Sequence, residues 1–364
     1  MLVKDITTII EGFAPLSYQE SYDNSGLIVG NGNDETTGVL ICLDCIEEIV
    51  DEAIATNCNM IVAHHPIVFS GIKKFNGKNY IERTVMKAIK NNIAIYAVHT
   101  NLDNVKNGVS FKIAEKIGLK NCKILQPKKR LLSKIVSYCP IDSAEKVRIA
   151  MFNAGAGSIG DYAECSFNIE GIGTFKGNES TSPTVGEAGK LHHENEVKIE
   201  TVVPSHKVNN VVAKMIAAHP YEEVAYDVFE LQNTYENVGS GIIGELENEE
   251  DELSFLKRLK IDLNTDCIRY TDLLGNKIKK VALCGGSGSF LLADAKARKA
   301  DVFITGDFKY HQFFDAEKNI LIADVGHYES EQYTSELIYD ILNEKFPNFA
   351  VRLTEKNTNP VNYL

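Results

Sequence analysis

No apolar run in this chain approaches the ~20 residues of a membrane-spanning helix. Its first segment, MLVKDITTIIEGFAP, combines helical periodicity with acidic residues and has no small-residue cleavage site, so it does not read as a signal peptide. Positive charge is scarce as well. Lys and Arg number 38 against 50 Asp and Glu, a net charge of −12, which argues against a general affinity for nucleic acid backbones. No stripe of basic and aromatic residues offsets that balance, and Lys128–Lys129–Arg130 reads as a solvated connector. Cysteine is not arranged for cross-linking. The eight cysteines are scattered, several inside apolar runs such as VLICLDC and KVALCGG, the pattern of small core residues in a reducing cytoplasm. Cys42 and Cys45 form one CxxC spacing without a second, and on a strand they would face opposite ways. Packing is their expected role.

The 364 residues suffice for two or three domains with sizeable cores, and 44% hydrophobic with 24% charged residues is ordinary for a globular protein. Through residues 1–127 strand-like and helix-like segments alternate, as in βαβ units around a mostly parallel sheet. Helices are expected over Val3–Phe13, Glu47–Thr56, Ile81–Asn91 and Val109–Ile117, with strands over Gly38–Leu43, Met60–Ala63 and Ile93–Val98. At QPKKR the alternation stops. Residues 128–233 give strand, helix, strands, helix, strand, the order of a ferredoxin-like α+β module. Residues 234–364 return to the first pattern, with strands at Lys280–Cys284, Asp301–Thr305 and Ile320–Asp324 and helices between and after them. The expectation is one split α/β domain carrying an inserted module.

Candidate chemistry gathers where strands end. MIVAHHPIVF breaks off at His64, His65 and Pro66; Ile93–Val98 delivers His99 and Asp103; Ile320–Asp324 is followed by His327 and Glu331, which would share one helix face. Sites in open α/β sheets form outside the carboxyl ends of strands. A catalytic zinc uses three protein ligands and an open position, so five or six N and O donors suit two divalent ions better than one. His64, His65, Asp103, His327 and Glu331 are the metal-ligand candidates. No thiolate is among them, which leaves zinc, iron, manganese, cobalt or nickel. His99 is expected to face substrate, and His99 or His311 to act as general acid or base. The turn Gly285–Gly286–Ser287–Gly288–Ser289 lies between strand and helix, where backbone N–H groups could cradle a phosphate, although a plain tight turn is the competing reading. The adjacent histidines pose one geometric condition: both rings reach one site only if the chain turns there.

AHHP at 63–66, HTNLD at 99–103, DNSGL at 23–27, TGD at 305–307 and HYESE at 327–331 together resemble the Nif-three-like dinuclear-metal family, often labelled GTP cyclohydrolase type-two homologues. GAGSIGDY at 155–162, GIGTF at 171–175 and HPYEEVAYDV at 219–228 resemble the PII-like or CutA-like insert of its longer bacterial members. The resemblance implies two metal ions held by the same five residues and a homohexameric toroid whose sites face an interior cavity. The functional expectation is a cytoplasmic metal-dependent hydrolase that activates water against a small, nucleotide-type substrate. The alternative is a non-enzymatic protein that stores or delivers metal, or regulates.

Overall fold

The computed structural model describes all 364 residues. They form two compact units, one of Met1–Pro127 with Asn237–Leu364 and one of Lys128–Glu236. No helix is long and apolar enough to cross a membrane.

The first unit contains two sheets. One has the strand order Gly26–Val29, Ala94–Ala97, Met60–His65, Val39–Asp44, Val351–Leu353, all parallel except the first pair. The other runs Arg269–Tyr270, Leu321–Asp324, Val302–Gly306, Lys277–Ser287, Thr234–Asp251, Lys120–Lys129, with its three inner strands from Leu321–Asp324 to Lys277–Ser287 parallel. These strands show no polar alternation because both faces are covered. Val39, Ile41, Met60 and Val62 enter one apolar cluster, whereas the intervening Leu40, Cys42, Ile61 and Ala63 enter another. The first cluster also takes Val281, Leu283, Val302, Ile304 and Ala323 from the second sheet, so the two stretches of chain share one core. The short C-terminal strand Val351–Leu353 returns to pair with Val39–Asp44.

The second unit has four strands in the order Phe167–Phe175, His192–Pro204, Leu132–Pro140, Tyr226–Leu231, every pair antiparallel. Helices Ala144–Asn153 and Val208–Ala218 bury Val147, Met151, Val211 and Met215 against Ile135, Cys139, Ile199 and Val203. Strand, helix, two strands, helix, strand is the split βαβ arrangement.

Three segments depart from the sequence reading. Most of QPKKR belongs to the strand Lys120–Lys129 rather than to a connector. That strand is at a sheet edge, where lysine and proline are tolerated because no second neighbour needs their N–H groups. The strand Lys277–Ser287 runs on into the glycines expected to form a turn, with a register shift between Leu283 and Ser287. Tyr310–Ala316 is a 3-10 helix. All eight cysteines are free. Burial pushes the Cys42 thiol well above its ordinary range, with Cys45 beside it adding to the shift, and packing is the role of the CxxC pair.

Candidate metal centre

The strand Met60–His65 continues through both histidines, and Pro66 follows its last residue. No turn separates His64 from His65, which corrects the geometric condition set by the sequence. Both rings still converge, at a centroid separation of 4.8 Å, because their common target lies beyond the strand end. That target is Glu331. His64 Nε2 is 3.7 Å from its Oε1, and His65 Nε2 is 3.0 Å from its Oε2.

The other donors arrive by short helices at neighbouring strand ends. After Ala94–Ala97 the chain turns at His99 into the helix Thr100–Asp103, which carries Asp103 to 3.6 Å from His64 Nε2. After Leu321–Asp324, Gly326 at φ +95° opens the helix His327–Glu331, where an i, i+4 spacing puts His327 Nε2 3.1 Å from Glu331 Oε2. Three three-donor groups result: His64 with Asp103 and Glu331, His65 with His327 and Glu331, and His64 with His65 and His99. Glu331 belongs to the first two.

Each ring is anchored from behind. His64 Nδ1 donates to the Val98 carbonyl at 2.8 Å, His65 Nδ1 to Asp44 Oδ1 at 2.7 Å and His327 Nδ1 to Asp307 Oδ2 at 2.7 Å. A ring that donates from Nδ1 turns Nε2 toward the cluster, the arrangement by which histidine ligands are oriented. Asp44 ends the strand Val39–Asp44, yet sequence reasoning passed over it because attention went to strand ends bearing histidine. Asp307, in the left-handed region at φ +57°, supports His327.

Protonation without metal follows from these contacts. Burial opposes charge on His65, but hydrogen bonds to Asp44 and Glu331 outweigh it and push its pKa up to about 10. Burial also opposes charge on His327, and the charge of Glu331 with the Asp307 bond raises it to about 11. His64 moves the other way, held neutral by burial. Burial and the charge of Glu331 push Asp103 well above its ordinary range. Burial opposes ionisation of Glu331, but His327 and the surrounding hydrogen bonds hold it well below.

Two buried atoms here have no hydrogen-bond partner, His64 Nε2 and Asp103 Oδ1. Such an atom costs about 1–3 kcal/mol, and these two face each other beside Glu331. An all-N/O donor set with orphaned, inward-facing atoms fits a divalent cation.

His99 stands at the edge of the cluster, its ring centroid 5.3 Å from that of His64, with Nδ1 donating to Asp23 Oδ1 at 2.7 Å. Asp23 also accepts from the Thr100 amide and hydroxyl. Burial opposes its ionisation, yet the bonds from His99 and Thr100 hold it well below the usual carboxylate range. A cavity of about 680 Å³ opens here, lined by His65, His99, Asp307, His327 and Arg269 and by C-terminal residues including Asn359 and Tyr363. Thr358 Oγ1 donates to Asp44 Oδ2 at 2.9 Å, so the C-terminal stretch helps to fix His65 indirectly.

Two expectations fail. His311 is exposed, its ring against Tyr310 and Phe314, and it does not line this cavity. The Gly285–Ser289 segment is not a free cradle, because the Gly285, Gly286 and Gly288 amides already donate to Ser110, Ser330 and Thr305 hydroxyls. Its glycines serve closeness instead. At Gly286, with φ +61°, a Cβ would run into the Glu331 carboxylate.

A fold of two joined α/β sheets and a cluster of histidines and carboxylates at their strand ends define an α/β protein equipped to hold a metal ion. The family model for Duf34/NIF3 (NGG1p interacting factor 3) matches residues 1–360, and the chain belongs to that family. It is 38% identical to a GTP cyclohydrolase 1 type 2 homolog of Halalkalibacterium halodurans, over 99% of this chain and 98% of that protein. A protein of Bacillus subtilis with the same name is 36% identical over the same shares. Among solved structures, a Bacillus cereus protein related to NIF3 superposes with a TM-score of 0.88 at 37% identity, covering 100% of this chain and 99% of that one.

Two expected outcomes follow from the anchoring contacts. Asp44→Ala removes the fixed acceptor behind His65 and should weaken metal binding about 10–100-fold, measured by competition with a chromophoric chelator; Asp51→Ala, on the surface, should change nothing. Metal uptake should also expel protons, since His65 and His327 are charged without metal below about 10 and about 11. Affinity therefore falls as pH falls, on the order of 10-fold per pH unit for each proton displaced. Calorimetry between pH 6 and 9 in buffers of different ionisation enthalpy counts those protons.

Proposed function

We propose that this protein is a dinuclear metal-dependent hydrolase acting on a small electrophilic substrate, with nucleotides of the GTP cyclohydrolase kind as the first class to examine. One observation carries the reading: two three-donor groups share the Glu331 carboxylate, one at each oxygen. His64, Asp103 and Glu331 would hold one ion, and His65, His327 and Glu331 the other. Zinc is the first choice, with iron, manganese, cobalt and nickel compatible with the same donors. Bound divalent ions supply Lewis-acid polarisation and acidify water toward neutrality.

The chain's own residues complete the chemistry. His99, fixed by Asp23 and lining the cavity, is the group assigned to carry a proton between substrate and solvent. Arg269 brings a permanent positive charge to the cavity wall for an anionic substrate group, with its guanidinium held by Asp324 and the Phe308 carbonyl. Phe69 and Tyr328 add apolar surface. Three protein donors per group leave positions open, which favours catalysis over a closed storage shell. The connectivity of the second unit supports the PII- or CutA-like kinship of that module, and a homohexamer is the proposed assembly, to be checked by light scattering.

Metal-loaded protein screened against nucleotides and phosphoesters should show turnover that chelation abolishes and metal restores. No turnover, with rapid release of metal to acceptor chelators, would favour storage or delivery.

A further inference from the structure

The second unit holds a cavity of its own, about 650 Å³, on the face of its sheet turned away from the two helices. Register decides which side chains line it. Ile169, Gly171, Gly173 and Phe175 pair with Lys198, Glu196, Glu194 and His192, and alternate with residues of the helix-covered face. Gly171 leaves the floor open, since a Cβ there would meet nothing within 4 Å. Aromatic rings form the walls, with Phe175 and Tyr221 at a centroid distance of 6.1 Å and Tyr138 on the central strand.

The charge of this lining is one-sided. Glu196, Glu222 and Glu223 face two lysines, Lys176 and Lys198, and Lys198 Nζ is taken at 2.5 Å by Glu200, which is not part of the lining. Glu196 is the carboxylate set among the rings: its Oε1 accepts the Tyr221 hydroxyl at 2.8 Å. Burial, reinforced by Glu196, keeps the Tyr221 phenol protonated and therefore a donor. Aromatic faces beside a fixed carboxylate attract organic cations and repel anions, and the volume is that of a small-molecule site.

From the aromatic walls, the open glycine floor and the acidic lining, we propose that the second unit binds a small organic cation, an amine or quaternary ammonium with an apolar body, seated on Phe175 and Tyr221 with its charge at Glu196. The proposal does not depend on the metal centre.

The test uses the full chain and three probes of similar size: benzyltrimethylammonium, neutral benzyl alcohol and anionic phenylacetate, followed by saturation-transfer NMR and calorimetry, with ATP as a larger anion. The cation should bind, and the alcohol and both anions at least about 10-fold more weakly. Glu196→Gln, which keeps an acceptor for Tyr221, should weaken the cation about 10-fold. Gly171→Leu should abolish binding by filling the floor. Neither variant should alter metal content, so failure here is distinguishable from failure of the metal reading. Equal or tighter binding of phenylacetate or ATP in this cavity, an unchanged affinity in Glu196→Gln, or no cation binding at about 10 mM would overturn the proposal.

Discussion

Glu331→Gln is expected to strip the chain of bound metal at both positions together. Glu331 is buried, with one oxygen toward His64 and the other toward His65 and His327. Gln keeps the shape but replaces one oxygen with an N–H₂ group that cannot ligate a cation and points donors at histidine nitrogens. The loss should exceed the roughly 10–100-fold effect of removing an outer partner. Elemental analysis after dialysis against a weak chelator measures it. Glu329→Gln is the control, because Glu329 is also buried but its Oε1 accepts from Asn359 Nδ2 rather than facing the cluster. Circular dichroism and thermal unfolding of both variants separate lost metal from lost fold.

The second large effect is expected at His99. His99→Asn should reduce kcat on the order of 10²–10⁴-fold, while metal content stays at the wild-type level. The ring belongs to neither three-donor group that contains Glu331, and its Nδ1 is committed to Asp23, although it forms a further group with His64 and His65, so metal content decides between the two roles. Asp23→Asn should act in the same direction but less, since the imidazole remains and only its orientation is relaxed. The check is steady-state kinetics on whichever substrate the hydrolysis screen identifies, with metal measured on the same samples. A variant that lost metal in parallel with activity would make His99 a ligand instead of a proton carrier.

How much of this was legible in the sequence differs from residue to residue. Met60–Ala63 and Val39–Leu43 are recognisable as buried strands because unbroken apolar runs of that length require cover on both faces. His64, His65, Asp103, His327 and Glu331 could be nominated because donors repeatedly followed such runs, and the structure does bring these five together. Their supports were less visible. Asp44 and Asp23 lie 21 and 76 residues from the rings they anchor, and nothing local to either marks the pairing. The Gly285–Ser289 segment misled because glycine permits two things at once, a free cradle and close approach by a neighbour. Only the contact with Glu331 and the hydroxyls of Ser110, Ser330 and Thr305 separates them. His311 failed for a related reason. Its spacing after Asp307 matches a helical ligand pair, but the segment is 3-10, and the ring packs on Tyr310 and Phe314 instead.

Under the proposed function Glu331 would be shared by two metal ions. Electron paramagnetic resonance of the Mn²⁺-loaded chain, titrated to saturation beside elemental analysis, tests it most directly. Two ions per chain with a spin-coupled spectrum are expected, reduced in Asp103→Asn to one ion with the hyperfine pattern of isolated Mn²⁺, and to none in Glu331→Gln. Saturation at a single ion, or two ions whose spectra show no coupling, would contradict that sharing.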